Sequence, residues 1–275
     1  MCPKKWYKYC RVQVAGATCG HSDVPMLAIL GAFGHEIADL RRQMVIDEVD
    51  ASRFCMAYRG RLKGRDCLLA RTGMGKERAE NAAQFLLRRY SVNSIISVGF
   101  AAALTSQLRA GDVVVCSTLH CATGSEDTGQ RLESRASDAS LLSLASQLLG
   151  VHPVSSCIGS SIVVPKLDSS PERIQELGEA FGVHVAEMES YWIARIASAH
   201  QIPFIAIRSI SETMHDSLAP FDQILASDGR LLWRRAVPGF LLHPRYFVNV
   251  FTIFRRVQPA RRNLGIFVGE LVARM

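Results

Sequence analysis

Hydrophobic and polar positions along the chain alternate between two periods. "MLAILG" (26–31) is an unbroken apolar run of strand length, and it predicts a strand buried on both faces. Behind it, "HEIADLRRQM" sets Ile37, Leu40, Arg41 and Met44 at helical spacing. "RFCMAYRGRL" alternates, and with "DCLLARTG" it predicts the two arms of a hairpin. "KERAENAAQFLLRRY" (76–90) predicts a helix, being built of good helix formers with an apolar side of Ala79, Ala83, Phe85, Leu86 and Leu87. "SIISVGF" and "GDVVVC" predict two strands, and "DASLLSLASQLL" predicts a helix. "PERIQELGEAFG" reads as a helix with Pro171 in its first turn and Gly182 beyond its end. "VHVAEM", a helix from Glu189 to about His200, and "IPFIAIRSI" add one more strand–helix–strand unit.

Strands alternating with helices imply an α/β fold: a central mixed, largely parallel sheet flanked by helices on both faces. The length of 275 residues allows one large domain or two small ones. The last part of the chain differs in composition. Residues 230–275 interleave Arg234, Arg235, Arg245, Arg255, Arg256, Arg261 and Arg262 with Trp233, Phe240, Phe247, Phe251, Phe254 and Phe267, and Glu270 is their only acid. Pro238, Pro244 and Pro259 are expected to break any single long helix there. The organisation expected is a basic N-terminal arm over 1–24, with Lys4, Lys5, Lys8 and Arg11, a main domain over 25–229, and a basic apolar extension over 230–275.

Composition is that of an ordinary globular chain, 48% hydrophobic and 21% charged. The formal net charge of +7 suits an anionic partner: nucleic acid, a lipid surface or a phosphorylated substrate. The extension fits a helix lying on an anionic membrane, and it fits equally a helix packed on the domain or across a dimer with its arginines in water. No nucleic-acid recognition motif accompanies it, which ranks that partner last. The eight cysteines (Cys2, Cys10, Cys19, Cys55, Cys67, Cys116, Cys121, Cys157) form no CxxC pair, and the eight histidines show no HxxxH or HxH spacing. No metal site is therefore assigned. Scattered thiols without a signal-peptide pattern point to the reducing cytoplasm. No run reaches the roughly 18 apolar residues of a spanning helix.

Three acids interrupt the core-building pattern. Glu36 follows the strand "MLAILG", Glu189 follows "VHVAEM", and Glu212 closes "IPFIAIRSIS". In open α/β sheets, ligands sit outside the carboxyl ends of the strands. One such Glu alone is ordinary, because the macrodipole favours acids in a first helical turn by about 0.3–1 kcal/mol. Three in equivalent topological positions point to a shared pocket.

The stretches "GAFGHEIADLR", "RTGMGKERAENAA", "IISVGFAAALTSQLRAGDVVV" and "AEMESYWIARIASAHQIPFIAIRSISE" resemble, in order and spacing, the purine nucleoside phosphorylase / methylthioadenosine–adenosylhomocysteine nucleosidase superfamily. The resemblance spans roughly 26–215. "GSSIVV", "ISETMHDSLAP" and the basic apolar tail are similar to its hopanoid-biosynthesis-associated phosphorylase branch, thought to remove adenine from an adenosyl lipid. The resemblance implies a nucleoside phosphorylase-like three-layer fold, no cofactor, and a homodimer. It also implies cleavage of the N-glycosidic bond of a purine nucleoside, with water or phosphate as co-substrate.

By that resemblance, Glu189 binds the ribose 2′ and 3′ hydroxyls, Met188 packs on the sugar face, and Glu36 orients and deprotonates the attacking water. Glu212 stands where the superfamily usually has Asp, the acid that protonates purine N7. Backbone groups near Ile162 and Val163 face the base edge, and Phe100, Ala101 and Ser211 complete the substrate contacts. Phosphorylases of the superfamily hold phosphate with arginines and a serine; the first loop here, "GAFGHE", has no Arg, and Ser97 and Phe100 occupy the other two places. Arg71 and Lys76, the candidate substitutes for those phosphate partners, read as a strand-end charge and a solvated helix-start lysine. Hydrolysis is thus expected over phosphorolysis. A nucleoside-binding relative without turnover is the alternative from a different class, because Glu212 is one methylene longer than Asp and Phe100 replaces a small polar residue. Asp216 or His215 could stand in for the acid. Phe100 would in turn form an apolar wall suited to an apolar 5′ substituent.

Overall fold

The six residues of β1 (Met26–Gly31) are all buried. The computed structural model describes residues 24–123, 131–151, 153–164, 178–213 and 245–275. The N-terminal arm up to residue 23, most of the predicted helix beginning at Pro171, and the stretch holding His215 and Asp216 lie outside the described residues.

β1 pairs in parallel with β4 (Arg65–Arg71) on one side and β5 (Val92–Ala103) on the other. β4 continues through β3 (Met56–Leu62) to β2 (Val45–Ala51) by antiparallel pairing, so the predicted hairpin forms. On its other flank β5 pairs in parallel with β10 (Phe204–Glu212), which pairs antiparallel with β6 (Val113–Thr123). β6 pairs with β8 (Ser156–Val163), and β8 with β9 (Val185–Glu187), both in parallel. β9 returns to β5 at Ala102↔Ala186 and Ala103↔Val185. The sheet therefore rolls into a ring of β5, β10, β6, β8 and β9 at one end and stays open at the other. β7 (Arg131–Ala136) pairs antiparallel with β6.

The sheet is mixed, as expected. It is not largely parallel: antiparallel pairings occur at β2–β3, β3–β4, β6–β7, β6–β10 and β5–β9. Alternation assigns its side chains to two cores. Met26, Ala28 and Leu30 pack with Ala79, Ala82, Ala83 and Leu86 of α2 (Lys76–Arg89) and with Ile193 and Ala197 of α4 (Ser190–Ala199). Leu27 and Ile29 pack with Leu40 of α1 (Ala38–Gln43), Leu141 and Ala145 of α3 (Ala139–Ser146), and Phe267 and Leu271 of α5 (Arg245–Arg274). β2, β7 and β8 were not predicted from the sequence. β2 lies at the open edge, mostly exposed, so no buried face imprints a pattern on it.

α5 corrects one expectation. It runs unbroken through Pro259, although a proline inside a helix costs about 3 kcal/mol. The offset comes from packing: Ala260, Leu264, Phe267, Val268, Leu271 and Val272 are fully buried. Pro259 itself sits over the turn at Gly111, where a Cβ would come within 3.2 Å of the proline Cβ, and Asn263 Nδ2 donates to Gly111 O at 2.8 Å. Of the two readings of the extension, packing on the domain describes the stretch from Ala260 onward.

Phe267→Ala is expected to lower the unfolding free energy by about 3–5 kcal/mol, measured by urea denaturation. A loss under about 1 kcal/mol would show that the end of α5 is not part of the core.

Candidate active site

The ring of strands closes at a point that leaves a gap beside β5. β5 is paired with β1 up to Ser97 (opposite Leu30) and with β9 only from Ala102 onward. Within that gap the Phe100 N–H donates to Glu36 Oε1 at 2.9 Å. Glu36 stands in the turn between β1 and α1, where its other oxygen, Oε2, accepts from Phe33 N at 2.7 Å. Both carboxylate oxygens are thus fixed by backbone donors, and the side chain is only 4% exposed.

Glu189 is the residue before α4, at its N-cap position. Its Oε1 accepts from Gly75 N at 2.8 Å, so the "GMGK" turn ahead of α2 contributes a donor to the same cluster. Glu187, the last residue of β9, sends Oε2 to Glu189 N and Ser190 N, both at 2.8 Å. The side chain of Arg208, fully buried in the middle of β10, meets that same oxygen through Nη2 at 3.0 Å. Arg208 Nη2 also donates to Ser97 Oγ at 2.9 Å and Ser190 Oγ at 2.5 Å. Gly99 lets Glu36 and Arg208 approach each other: a Cβ there would come within 2.9 Å of Glu36 Oε1 and 3.0 Å of Arg208 Nη1.

Three buried carboxylates therefore surround one buried guanidinium. Burial pushes the Glu36 carboxyl above its usual range, against the pull of the Phe33 and Phe100 N–H groups and of Arg208. Glu189 is pushed up to about 8, first by burial and then by the charges of Glu187 and Glu36; Gly75 N–H and Arg208 oppose the rise. For Arg208, burial works against the charge, but Glu187, Cys116, Glu189 and Glu36 more than offset it and hold the guanidinium protonated. Burial and the neighbouring carboxylates thus favour the protonated form of Glu189.

Of the acids predicted from sequence, Glu36 and Glu189 come together. Glu212 is placed by register: it ends β10, half-buried, and pairs with Ala102, two residues along β5 from the amide that holds Glu36. A bulge between Ile210 and Glu212 lets Ser211, which is buried, slip out of the ladder. Ala101 is buried and pairs with Ile210. Ile162 pairs with Ala186 and Val163 with Glu187, so this end of β8 runs beside the acids. Met188 is half-buried between Glu187 and Glu189. The Phe100 ring packs with the α5-side core. Lys76 is solvated at the start of α2, its Nζ 4.3 Å from the centre of the Trp192 ring. Arg71 is half-buried at the end of β4.

Sequence reasoning missed Arg208 and gave Glu187 no task. The signal was present: "IPFIAIRSI" is apolar around its Arg, and a guanidinium inside a fully buried strand needs acids at hand.

The chain and its fold are similar to those of known proteins. Residues 26–230 match the model of the Phosphorylase superfamily. A 5′-methylthioadenosine/S-adenosylhomocysteine nucleosidase of Tolumonas auensis is 34% identical over 197 residues, 68% of this chain and 85% of that protein. One from Bacillus thuringiensis is 25% identical over 210 residues, 72% of this chain and 91% of that protein. Among solved structures, the Neisseria meningitidis enzyme of the same name, in complex with methylthio-immucillin-A, shares the fold with a TM-score of 0.71 at 22% identity, covering 92% of this chain and all (100%) of that one. The futalosine hydrolase of Helicobacter pylori does so with a TM-score of 0.69 at 18% identity, over 90% of this chain and 98% of that one. The chain belongs to the Phosphorylase superfamily.

The raised proton affinity of Glu189 has a sign for stability. Between its unfolded value near 4.5 and about 8, the folded state binds more protons than the unfolded one. Its contribution is therefore complete at acid pH and is lost as pH rises through about 8. Glu189→Gln is expected to flatten the fall of the melting temperature from pH 5 to pH 9 and to leave the variant at least as stable as the parent at the alkaline end. Thermal unfolding followed at pH steps reads this directly, and parallel curves for the two proteins would refute it.

Proposed function

We propose that this cluster hydrolyses the N-glycosidic bond of a purine nucleoside, with Glu36 and Glu212 as the catalytic groups and Glu189 as the ribose grip. Departure of the base passes through an oxocarbenium-like ribose. Water attacks C1′ while Glu36, its two oxygens aimed by backbone amides, takes the proton. The C1′–N9 bond breaks, and Glu212 supplies a proton to N7 so that the base leaves neutral. Glu189 accepts from the 2′ and 3′ hydroxyls once ionised; the two ribose donors favour that ionised form, so binding releases its proton. Met188 lies against the sugar, and Phe100, Ala101, Ile162, Val163 and Ser211 line the rest of the pocket.

The observation that carries this reading is the charge balance. Among the described residues Glu36, Glu187 and Glu189 face a single buried cation, and Arg208 is already bonded to Glu187, Ser97 and Ser190. A phosphate dianion held out of water needs about two charge-assisted partners. Ser97, at a place where phosphorylases have an arginine, is instead a partner of Arg208. The relatives at 34% and 25% identity are named as nucleosidases, which agrees with water as the nucleophile. The 5′ substituent is assigned as apolar, from Phe100 in place of a small polar residue. This is the chemistry of an adenosyl lipid of the hopanoid-associated branch, handled by a homodimer. Contact with the membrane falls to the extension ahead of Ala260, because the apolar side beyond it is buried in the core.

Adenine release from adenosyl nucleosides, assayed with and without phosphate, tests the reading. Phosphate-independent release is expected; strict phosphate dependence would restore phosphorolysis, and tight binding without release would make the protein a nucleoside binder. Glu36→Gln should lower kcat by about 10²–10⁴ while KM changes little, as read by initial rates.

A further inference from the structure

The mechanism above leaves one buried acid unused. Glu187 has a fully buried side chain, and all its bonding runs through one oxygen. Oε2 accepts from Glu189 N, Ser190 N and Arg208 Nη2, while Oε1 has no partner among the described residues. Two of those donors belong to the residues that start α4, one of them Glu189 itself. The third belongs to the guanidinium that shares the space over Gly99 with Glu36. Removing this oxygen would untie two chain segments at once. β9 and α4 would lose the bonds that set the backbone of Glu189 (φ −127°, ψ −37°). β10 would lose the only acid that forms an ion pair with Arg208 among the described residues.

We propose that Glu187 is a positioning residue for the glycosidase reaction: its Oε2 locks the backbone of Glu189 to Arg208, so that the ribose grip and the base carboxylate hold a fixed distance. The proposal rests on the functional reading above. Helix capping alone is a weaker account. A cap needs any acceptor oxygen, whereas here the acceptor also bears the counter-charge of a guanidinium bound to Ser97 and Ser190. The groups facing Glu189 are Glu187, Glu36, Arg208 and the Gly75 N–H. Neutralising Glu187 therefore removes a repulsion from Glu189 and leaves Arg208 free to turn towards Glu36 and Glu189, and both changes favour the ionised form of Glu189.

Glu187→Gln keeps an acceptor oxygen and removes the charge. The expected result is a kcat/KM lowered at least about tenfold, with the acid limb of its pH profile moved down by about one unit. The double variant E187Q/R208Q removes both buried charges and so avoids an unpaired guanidinium in the core; it supplies a folded protein if the single variant does not fold, and it should show the same loss. Wild-type kcat/KM with an unmoved acid limb in either folded variant would overturn the proposal. A wild-type protein that releases no base would instead sink the functional reading. The positioning role is then read by carbon-13 NMR titration of the Glu189 carboxyl, whose midpoint should fall by about one unit in Glu187→Gln; an unchanged midpoint overturns it.

Discussion

Everything at the site is arranged around a cation buried where it could not survive alone. Taking a charge out of water costs several kcal/mol even after relaxation, and the cost is offset only by excellent geometry and additional hydrogen bonds. Arg208 meets both conditions through Glu187 Oε2, Ser97 Oγ and Ser190 Oγ. Its presence in turn lets Glu36 and Glu189 be buried beside it. Among the described residues three buried acids share one buried cation, and this shortage of positive charge adds to burial in pushing Glu189 up to about 8. That shortage is also what favours water over phosphate.

The geometry that makes this possible is a property of β5. One twelve-residue strand serves two neighbours on the same edge, β1 along its first half and β9 at its end. Between them its edge is open, and the Phe100 amide points its hydrogen at Glu36 rather than at another strand. An unpaired backbone donor in a buried position must find an acceptor; here the acceptor is the carboxylate of Glu36. The site thus occupies the point where strand pairing changes hands, which is where α/β sheets leave room for ligands.

The extension after residue 230 contributes to the same body at its far end. α5 covers the sheet face opposite α2 and α4, and its apolar side completes the second core. Asp39 of α1 pairs with Arg261 of α5 at 3.3 Å, which joins two helices on that face. Pro259 is tolerated because tertiary burial outweighs a local penalty, and a proline count along the sequence does not contain that comparison.

Much of the molecule was legible in the residues. Apolar runs such as "MLAILG" and "IPFIAIRSI", and the helix former "KERAENAAQFLLRRY", marked strands and helices because burial on both faces or on one stripe leaves a periodic trace. Glu36 and Glu189 stood out because acids at strand ends break that trace. β2 and β7 left none: a strand whose sides face solvent obeys no pattern. The rolling of the sheet was equally silent, since Ala102↔Ala186 and Val113↔Ser209 are pairings between distant segments. The sequence by itself determined most of the strands and helices, with β2, β7 and β8 excepted, and which acids sit at their ends, because those follow from local periodicity. Only the tertiary structure decided that Glu187 and Arg208 bind each other between those acids, that Pro259 lies inside a helix, and that burial beside like charges raises the proton affinity of Glu189. Each of these depends on the distance and burial of groups brought together from remote parts of the chain.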